Sequence, residues 1–267
     1  MFPVIGMDRK NIDKIAQTDD DRLLLAKLWD KIEPAMRKNI PGSTCFLSPR
    51  EQSMARYLFG ETDGLHFWGG HDGAERKMLF YLPDYLDVNS FLDSESSLVC
   101  LRASFYHTET PTHRDFLGAL MGSGIARESI GDICVGASSC DFFVMDTVAP
   151  YLLQNFIGAG RTKVTLTQIP VDQANIPEPE VREIRDTVAS LRLDSIVSSG
   201  FQISRGAAGQ YISAGRVSMD GMPCEKADKL VSVGMKISVR GLGKIKLESV
   251  GGLTKKGRTG VVIHRYV

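Results

Sequence analysis

Nowhere in the 267 residues is there an apolar run approaching the roughly 18 residues that a membrane-spanning helix needs. A signal-peptide core is missing too, because Met1 to Lys14 mixes charges into a short apolar stretch. Cysteine is scarce: Cys45, Cys100, Cys134, Cys140 and Cys224 are scattered, odd in number and never spaced C-x-x-C. That pattern excludes a disulfide framework and a structural zinc site, and it suits a reducing cytosol. Phosphate loops, H-E-x-x-H, internal repeats and low-complexity tracts are all absent. A cytoplasmic protein without membrane partner, metal or cofactor is expected.

What is present is ordinary globular composition, with 43% hydrophobic and 24% charged residues. The length favours two or three domains. A net charge of zero hides a division: residues 188–267 hold 13 Lys+Arg against 5 Asp+Glu, and residues 1–187 hold 19 against 27. A net of +8 on one end and −8 on the other is what a nucleic-acid-binding tail on an acidic body would show. The boundary between them lies in IPVDQANIPEPEVREIR, where three prolines and four acidic residues lack a sustained apolar period. Residues 171–187 therefore read as an exposed linker.

Upstream, the first 60 residues are helical in pattern. Asp19–Asp21 open a helix with a stripe of Leu24, Leu28, Ile32 and Met36, and Pro41-Gly42 stops it. Ser48-Pro49-Arg50-Glu51 is a capping box with proline at the first helical position, and Gly60 ends that helix. Two short apolar runs, Leu65–Trp68 and Met78–Leu82, flank a glycine turn and read as strands. Residues 1–90 thus form an N-terminal α+β region.

Residues 91–170 give a strand (Leu98–Phe105), a helix capped by Thr112, strands at Ile130–Val135 and Asp141–Met145, a helix from Val148, and a strand ending at Ile169. The order βαββαβ is that of a ferredoxin-like, RNA-recognition-like domain. Phe142 and Phe143 fall on its third strand, where such domains place base-stacking aromatics, although the full signature is missing and core packing is the stronger reading for at least one. The expected fold class is α+β.

From Ala189 the character changes. A short helix around Leu193, Ile196 and Val197 ends at Gly200, and Ser204 caps a second helix that Gly215 stops. Strands follow around the tight turn Asp220-Gly221 and the bend Gly241-Leu242-Gly243. The residues Arg192-Leu193-Asp194, Ile203-Ser204-Arg205, Gly215-Arg216-Val217, Asp220-Gly221 and Gly234 through Gly241 resemble, in order and spacing, the S-four (alpha-L) RNA-binding domain. GGHDGAERK and THRDFLGALMGSGIARESIGDICV further upstream resemble the YlmH-type proteins of the bacterial cell-division gene cluster. The resemblance implies an S-four domain over 188–267 and a non-catalytic factor on ribosomal RNA or tRNA. It places that factor on the large ribosomal subunit, in translation or stalled-ribosome quality control. It also puts RNA contacts on Ser204, Arg205 and Arg216. The residues themselves add Arg240, Lys244 and Lys246 around the last bend, because phosphate neutralisation needs Arg and Lys near helix starts and hairpin edges. Arg192 and Asp194 read as a structural charge pair at a helix start.

No catalytic set emerges. Gly118, Gly122 and Gly124 end a helix instead of opening one, so they fail as a dinucleotide fingerprint. His113-Arg114-Asp115 has the letters of a kinase catalytic loop without its companions and reads as helix initiation. His107, His113, Cys134 and Cys140 lack ligand spacing. His66 and His71 flank glycines and fit either a turn or an RNA contact. The alternative to a binding factor is an RNA-modifying, pseudouridine-synthase-like enzyme with its active site in the N-terminal half and the S-four domain for substrate binding. Arg192-Leu193-Asp194 echoes the aspartate context of such enzymes but belongs to the S-four module and follows Leu191, not glycine. No small-molecule substrate is expected.

Overall fold

The computed structural model describes residues 8–94, 97–106, 111–255 and 257–266. It forms two units, Met1–Pro177 and Glu178–Val267.

The first unit begins with α1 (Ile12–Ile15) and α2 (Asp19–Lys38). Thr18 caps α2, accepting from the Asp21 backbone while the Asp21 carboxylate accepts from Thr18, so two orphan donors are satisfied. The buried stripe is Leu25, Leu28, Ile32 and Ala35, not the strict four-residue series expected. At 3.6 residues per turn each four-residue step drifts about 40°, so Leu24 and Met36 lie on the flanks. Asn39 ends the helix in the left-handed region at φ 53°. The uninterrupted helical start expected from sequence is broken by β1 (Gly42–Leu47). Then α3 (Pro49–Phe59) opens with its Ser48–Glu51 capping box and stops at Gly60, as read from sequence. Strands β2 (Leu65–Trp68) and β3 (Lys77–Tyr81) complete an antiparallel sheet of order β1-β3-β2, and α4 (Val88–Ser94) follows.

The central part has β4 (Leu98–Ser104), α5 (His113–Gly122), β5 (Ile130–Val135), β6 (Ser139–Met145) and α6 (Ala149–Asn155). A small hairpin, β7 (Gly158–Ala159) and β8 (Thr162–Lys163), precedes β9 (Thr165–Ile169). The sheet order β5-β6-β4-β9, antiparallel throughout, is the ferredoxin-like arrangement. Alternation along β6 sends Phe142 to the helical face with Leu101, Phe116 and Leu152, and Phe143 to the other face. That second face does not meet solvent there. Phe46, Met78, Phe80 and Leu82 from the N-terminal part cover it.

The second unit starts earlier than expected. Val181–Val188 is not linker but strand β10, paired along its whole length with β15 (Thr259–Tyr266). Its period of two was hidden because Arg182 and Asp186 share the inner side with Ile184 and Val188; the Asp186 carboxylate accepts from Ser199 at 2.7 Å. Residues 171–176 belong to the first unit, where Val171, Ala174 and Ile176 pack on the core. Asp141, almost wholly buried, takes a bidentate bond from Arg102 and one from the Asn175 backbone at 2.6 Å. The exposed joint narrows to Pro177–Glu180.

Between β10 and β15 lie α7 (Leu193–Phe201), α8 (Arg205–Ser213), β11 (Val217–Met219), β12 (Met222–Pro223), β13 (Lys236–Val239) and β14 (Gly243–Leu253). The six-stranded sheet has the order β10-β15-β14-β13-β11-β12. Its inner face, with Ile237, Ile245, Leu247 and Ile263, packs on Leu193, Ile196, Val197, Ala208 and Ile212 of the two helices. Gly200 does not end α7, as the sequence suggested. It sits inside the helix, where a Cβ would come 2.7 Å from Ile245 Cδ1, and so it lets helix and sheet approach. Asp220 and Gly221, at φ 44° and 81°, form the expected tight turn.

Candidate nucleic-acid interface

The proposed RNA-contacting residues fall at three places on the second unit. The first is the start of α8. Ser204 caps it, its hydroxyl accepting from the Ala207 backbone at 3.1 Å. Arg205 begins the helix, but its guanidinium is engaged: it donates to Asp194 Oδ2, while Arg192 donates to both Asp194 oxygens at 3.2 and 3.4 Å. Burial pushes the Asp194 carboxyl up, and the Arg205 and Arg192 guanidiniums outweigh that, holding it below the usual carboxylate range. The charge pair read from sequence at Arg192 and Asp194 is therefore a triad that includes Arg205. One carboxylate between two guanidiniums leaves one positive charge in excess at this corner.

The second place is the far end of α8. Arg216 lies 4.7 Å above the Tyr211 ring and donates to the Arg240 carbonyl at 2.9 Å, and the Arg240 backbone donates back to the Arg216 carbonyl at 2.9 Å. Arg216 and Arg240, placed in different segments by the sequence, are thus joined. Gly241 turns the chain here at φ 91°, a conformation that favours glycine, and a Cβ there would lie 3.0 Å from the Arg216 guanidinium. Tyr211 is partly buried against the core and offers its ring to Arg216, five residues further on. A nine-residue helix is about 14 Å long, so the two ends of α8 present separate positive groups.

The third place is the opposite face of the sheet. Ile245 and Leu247 point to the helices, so Lys244 and Lys246 point away, opposite Ser238 and Lys236. The pleat therefore divides the candidate contact residues between two faces of the sheet. Lys246 is paired with Glu248 at 2.8 Å; the pairing raises the Lys246 pKa and lowers that of Glu248. His264, in register with Lys246, approaches the same carboxylate at 3.5 Å.

The first unit offers less. Phe142 and Phe143 are both wholly buried, so neither can stack a base. His113-Arg114-Asp115 starts α5, with Thr112 and Asp115 in a capping box, and the Thr112 backbone bond holds the Asp115 carboxyl low. The glycine-rich motif around His71 staples the β2–β3 connection to β5. Asp132 accepts from the Glu75 and Arg76 backbones at 2.6 and 2.9 Å and lies 3.4 Å from His71. Arg76 reaches the carbonyls of Ile130, Phe46 and Arg127. Gly70, at φ 95°, backs onto the Phe143 ring. Burial pushes the Cys100 and Cys134 thiols up to about 12 and raises that of Cys140 as well. His107 lies outside the described residues. Among the described residues no three metal-ligating side chains converge, and no helix is long and apolar enough to cross a membrane.

Two short helices on a twisted sheet, with arginines at both ends of the second helix, define an S4-domain protein. Residues 191–237 match the model described as "S4 domain", and residues 104–173 match "Putative RNA-binding domain in YlmH". The chain is 34% identical over 224 residues to "Ribosome-associated protein quality control protein P2" of Bacillus subtilis (strain 168), covering 83% of this chain and 86% of that protein. The chain belongs to the YlmH family. It is also similar to the solved structure "Cell division protein ylmH from Streptococcus pneumoniae", with TM-score 0.49 and 19% identity, over 61% of this chain and 98% of that one.

Proposed function

We propose that the chain is a non-catalytic RNA-binding factor of the cytoplasm. On this reading it acts on ribosomal RNA of the large subunit, in translation or in the clearance of stalled ribosomes, with tRNA as a further contact. The observation that carries the reading is the family membership, since a relative alike over most of both chains is named for ribosome-associated quality control. The geometry supports it chemically. Arg216 and Arg240 form a joined pair whose remaining donors suit phosphate oxygens. Arg205 and the Ser204-capped start of α8 form a second contact, and Lys244 and Lys246 add field from the other sheet face. Against catalysis, the one aspartate in a pseudouridine-synthase-like context, Asp194, is held by two arginines inside the fold.

The test is fractionation of the tagged, full-length protein on a sucrose gradient at low and high salt. Migration with the large subunit, released by salt, is the expected result. Migration with the small subunit, or only at the top of the gradient, overturns it. A change in RNA nucleosides after incubation with the protein would establish an enzyme instead.

A further inference from the structure

The positive charge of the second unit is not where the S4 match lies. Residues 188–228 hold four Lys/Arg and four Asp/Glu, whereas residues 229–267 hold nine and one. The single acid, Glu248, is occupied by Lys246, and residues 249–267 contain no acidic residue. The S4 match ends at residue 237, so most of the excess sits on the β14–β15 ribbon that follows it.

Past Leu247 the β14 strand leaves the core, while its partner β15 stays anchored through Val261 and the pairing with β10. Val250, Gly251, Gly252, Leu253, Thr254, Lys255 and Arg258 are all exposed, Leu253 to 76%. Its end is nevertheless closed and anchored. Leu253 pairs with Thr259, the Gly257 backbone donates to the Thr254 carbonyl, and Arg258 donates to the hydroxyl and carbonyl of Thr187 at the end of β10. Gly252 is not required by packing: a Cβ there would meet nothing within 4 Å, and at Gly251 only ordinary contact. Glycine inside a strand marks a bulge or a close approach to the backbone, and the register shifts between Val250 and Leu253, so the glycines leave this backbone irregular and open. An ordered, exposed ribbon end whose own residues carry lysine and arginine but no acid suits the sugar-phosphate backbone of RNA.

We infer that the end of the β14–β15 ribbon, around Leu253, Lys255 and Arg258, is a second RNA-backbone contact, separate from the arginines of α8. This rests on the RNA-binding reading above. Eleven strand residues at about 3.4 Å each put the ribbon end roughly 35 Å from the Gly241 corner. That is several Debye lengths of about 8–10 Å, so the two ends neutralise different phosphates and their contributions add.

The register supplies the experiment. Because Leu253 pairs with Thr259, replacing Thr254–Arg258 by Asn-Gly closes the ribbon as a two-residue hairpin. Full-length wild type and the shortened chain are titrated with deproteinised ribosomal RNA between 50 and 200 mM salt. Loss of two to three cationic contacts, each worth about 0.7–0.9, should flatten the plot of log affinity against log salt by about 1.4 to 2.7. Lys255→Ala alone should remove about 0.7–0.9 of slope, and Lys255→Arg should retain it. The single variants carry the test if the shortened chain folds poorly. An unchanged slope in Lys255→Ala, with wild type binding normally, overturns the ribbon assignment and leaves the RNA-binding reading intact. Failure of wild type itself to bind overturns that reading. Unchanged RNA affinity with lost ribosome sedimentation would place a protein surface, not RNA, on the ribbon.

Discussion

Arg205→Ala is expected to weaken both the fold around α7 and α8 and RNA binding, and the two effects can be separated. Asp194 is buried and shared by Arg192 and Arg205, whose side chains are 39% and 55% exposed. A fully buried pair broken on one side costs about 3–5 kcal/mol, and an exposed one about 0.2–1 kcal/mol. Here solvent screens Arg205 and Arg192 remains on the same carboxylate, so the loss should be about 1 kcal/mol. Both tryptophans, Trp29 and Trp68, lie in the first unit, so their fluorescence does not follow this region. Amide hydrogen exchange read by mass spectrometry does, and 1 kcal/mol corresponds to roughly fivefold faster exchange in the core amides of residues 193–213. A double-mutant cycle with Asp194→Asn isolates the pair. The Asp194 carboxyl is depressed in the fold, so the contribution is present above its unfolded pKa. It is lost as pH falls through the folded value. The difference between wild type and Arg205→Ala in thermal stability should therefore close in acid. A coupling below about 0.3 kcal/mol, within the scatter of independent sites, would refute the triad as a structural element. Arg205 would then be free for RNA alone.

Leu193→Ala removes a wholly buried contact of the second unit and should destabilise it by about 2–5 kcal/mol, seen as lost exchange protection there with unchanged tryptophan fluorescence. Gly70→Ala should destabilise the first unit by about 2–4 kcal/mol in urea unfolding followed by Trp68, since its Cβ would fall 2.3 Å from the Phe143 ring at a positive φ. A wild-type midpoint would contradict that packing. A glutamate-specific protease should cut first at Glu178 or Glu180, releasing a C-terminal fragment of roughly 90 residues; primary cleavage at Glu183 would mean that β10 is not held in its sheet.

Much of the fold can be read from local chemistry. Capping boxes at Ser48 and Thr112, the cap at Ser204 and the Asp220-Gly221 turn are short-range devices, and all appear where their letters stand. What was not legible depends on distant partners. β10 reads as polar because its inner residues include Arg182 and Asp186, and only the pairing with β15 and the bond to Ser199 make it a strand. Phe142 and Phe143 have the letters of a stacking surface, but whether that face is open depends on a sheet built from residues about sixty to a hundred positions earlier. At the interface, sequence found the cations but not their partners. Asp194 and Glu248 occupy two of them, and the strand pleat separates Lys244 and Lys246 from the helix side.

The position of β15 in its sheet governs when the second unit can form during synthesis. Among the described residues β15 is the one strand paired with β10, and Val181 meets Tyr266 while Val188 meets Thr259. As the chain emerges, β10 must wait with an unpaired edge until more than seventy further residues have been made. α7, α8 and the β11–β13 pairing can assemble in the meantime from nearby residues. The charges of Arg182, Glu183 and Arg185 discourage that waiting edge from recruiting another nascent chain. Closure of the unit is therefore a late event, and slowing elongation after residue 253 should prolong a species with its helices docked and its first strand unattached.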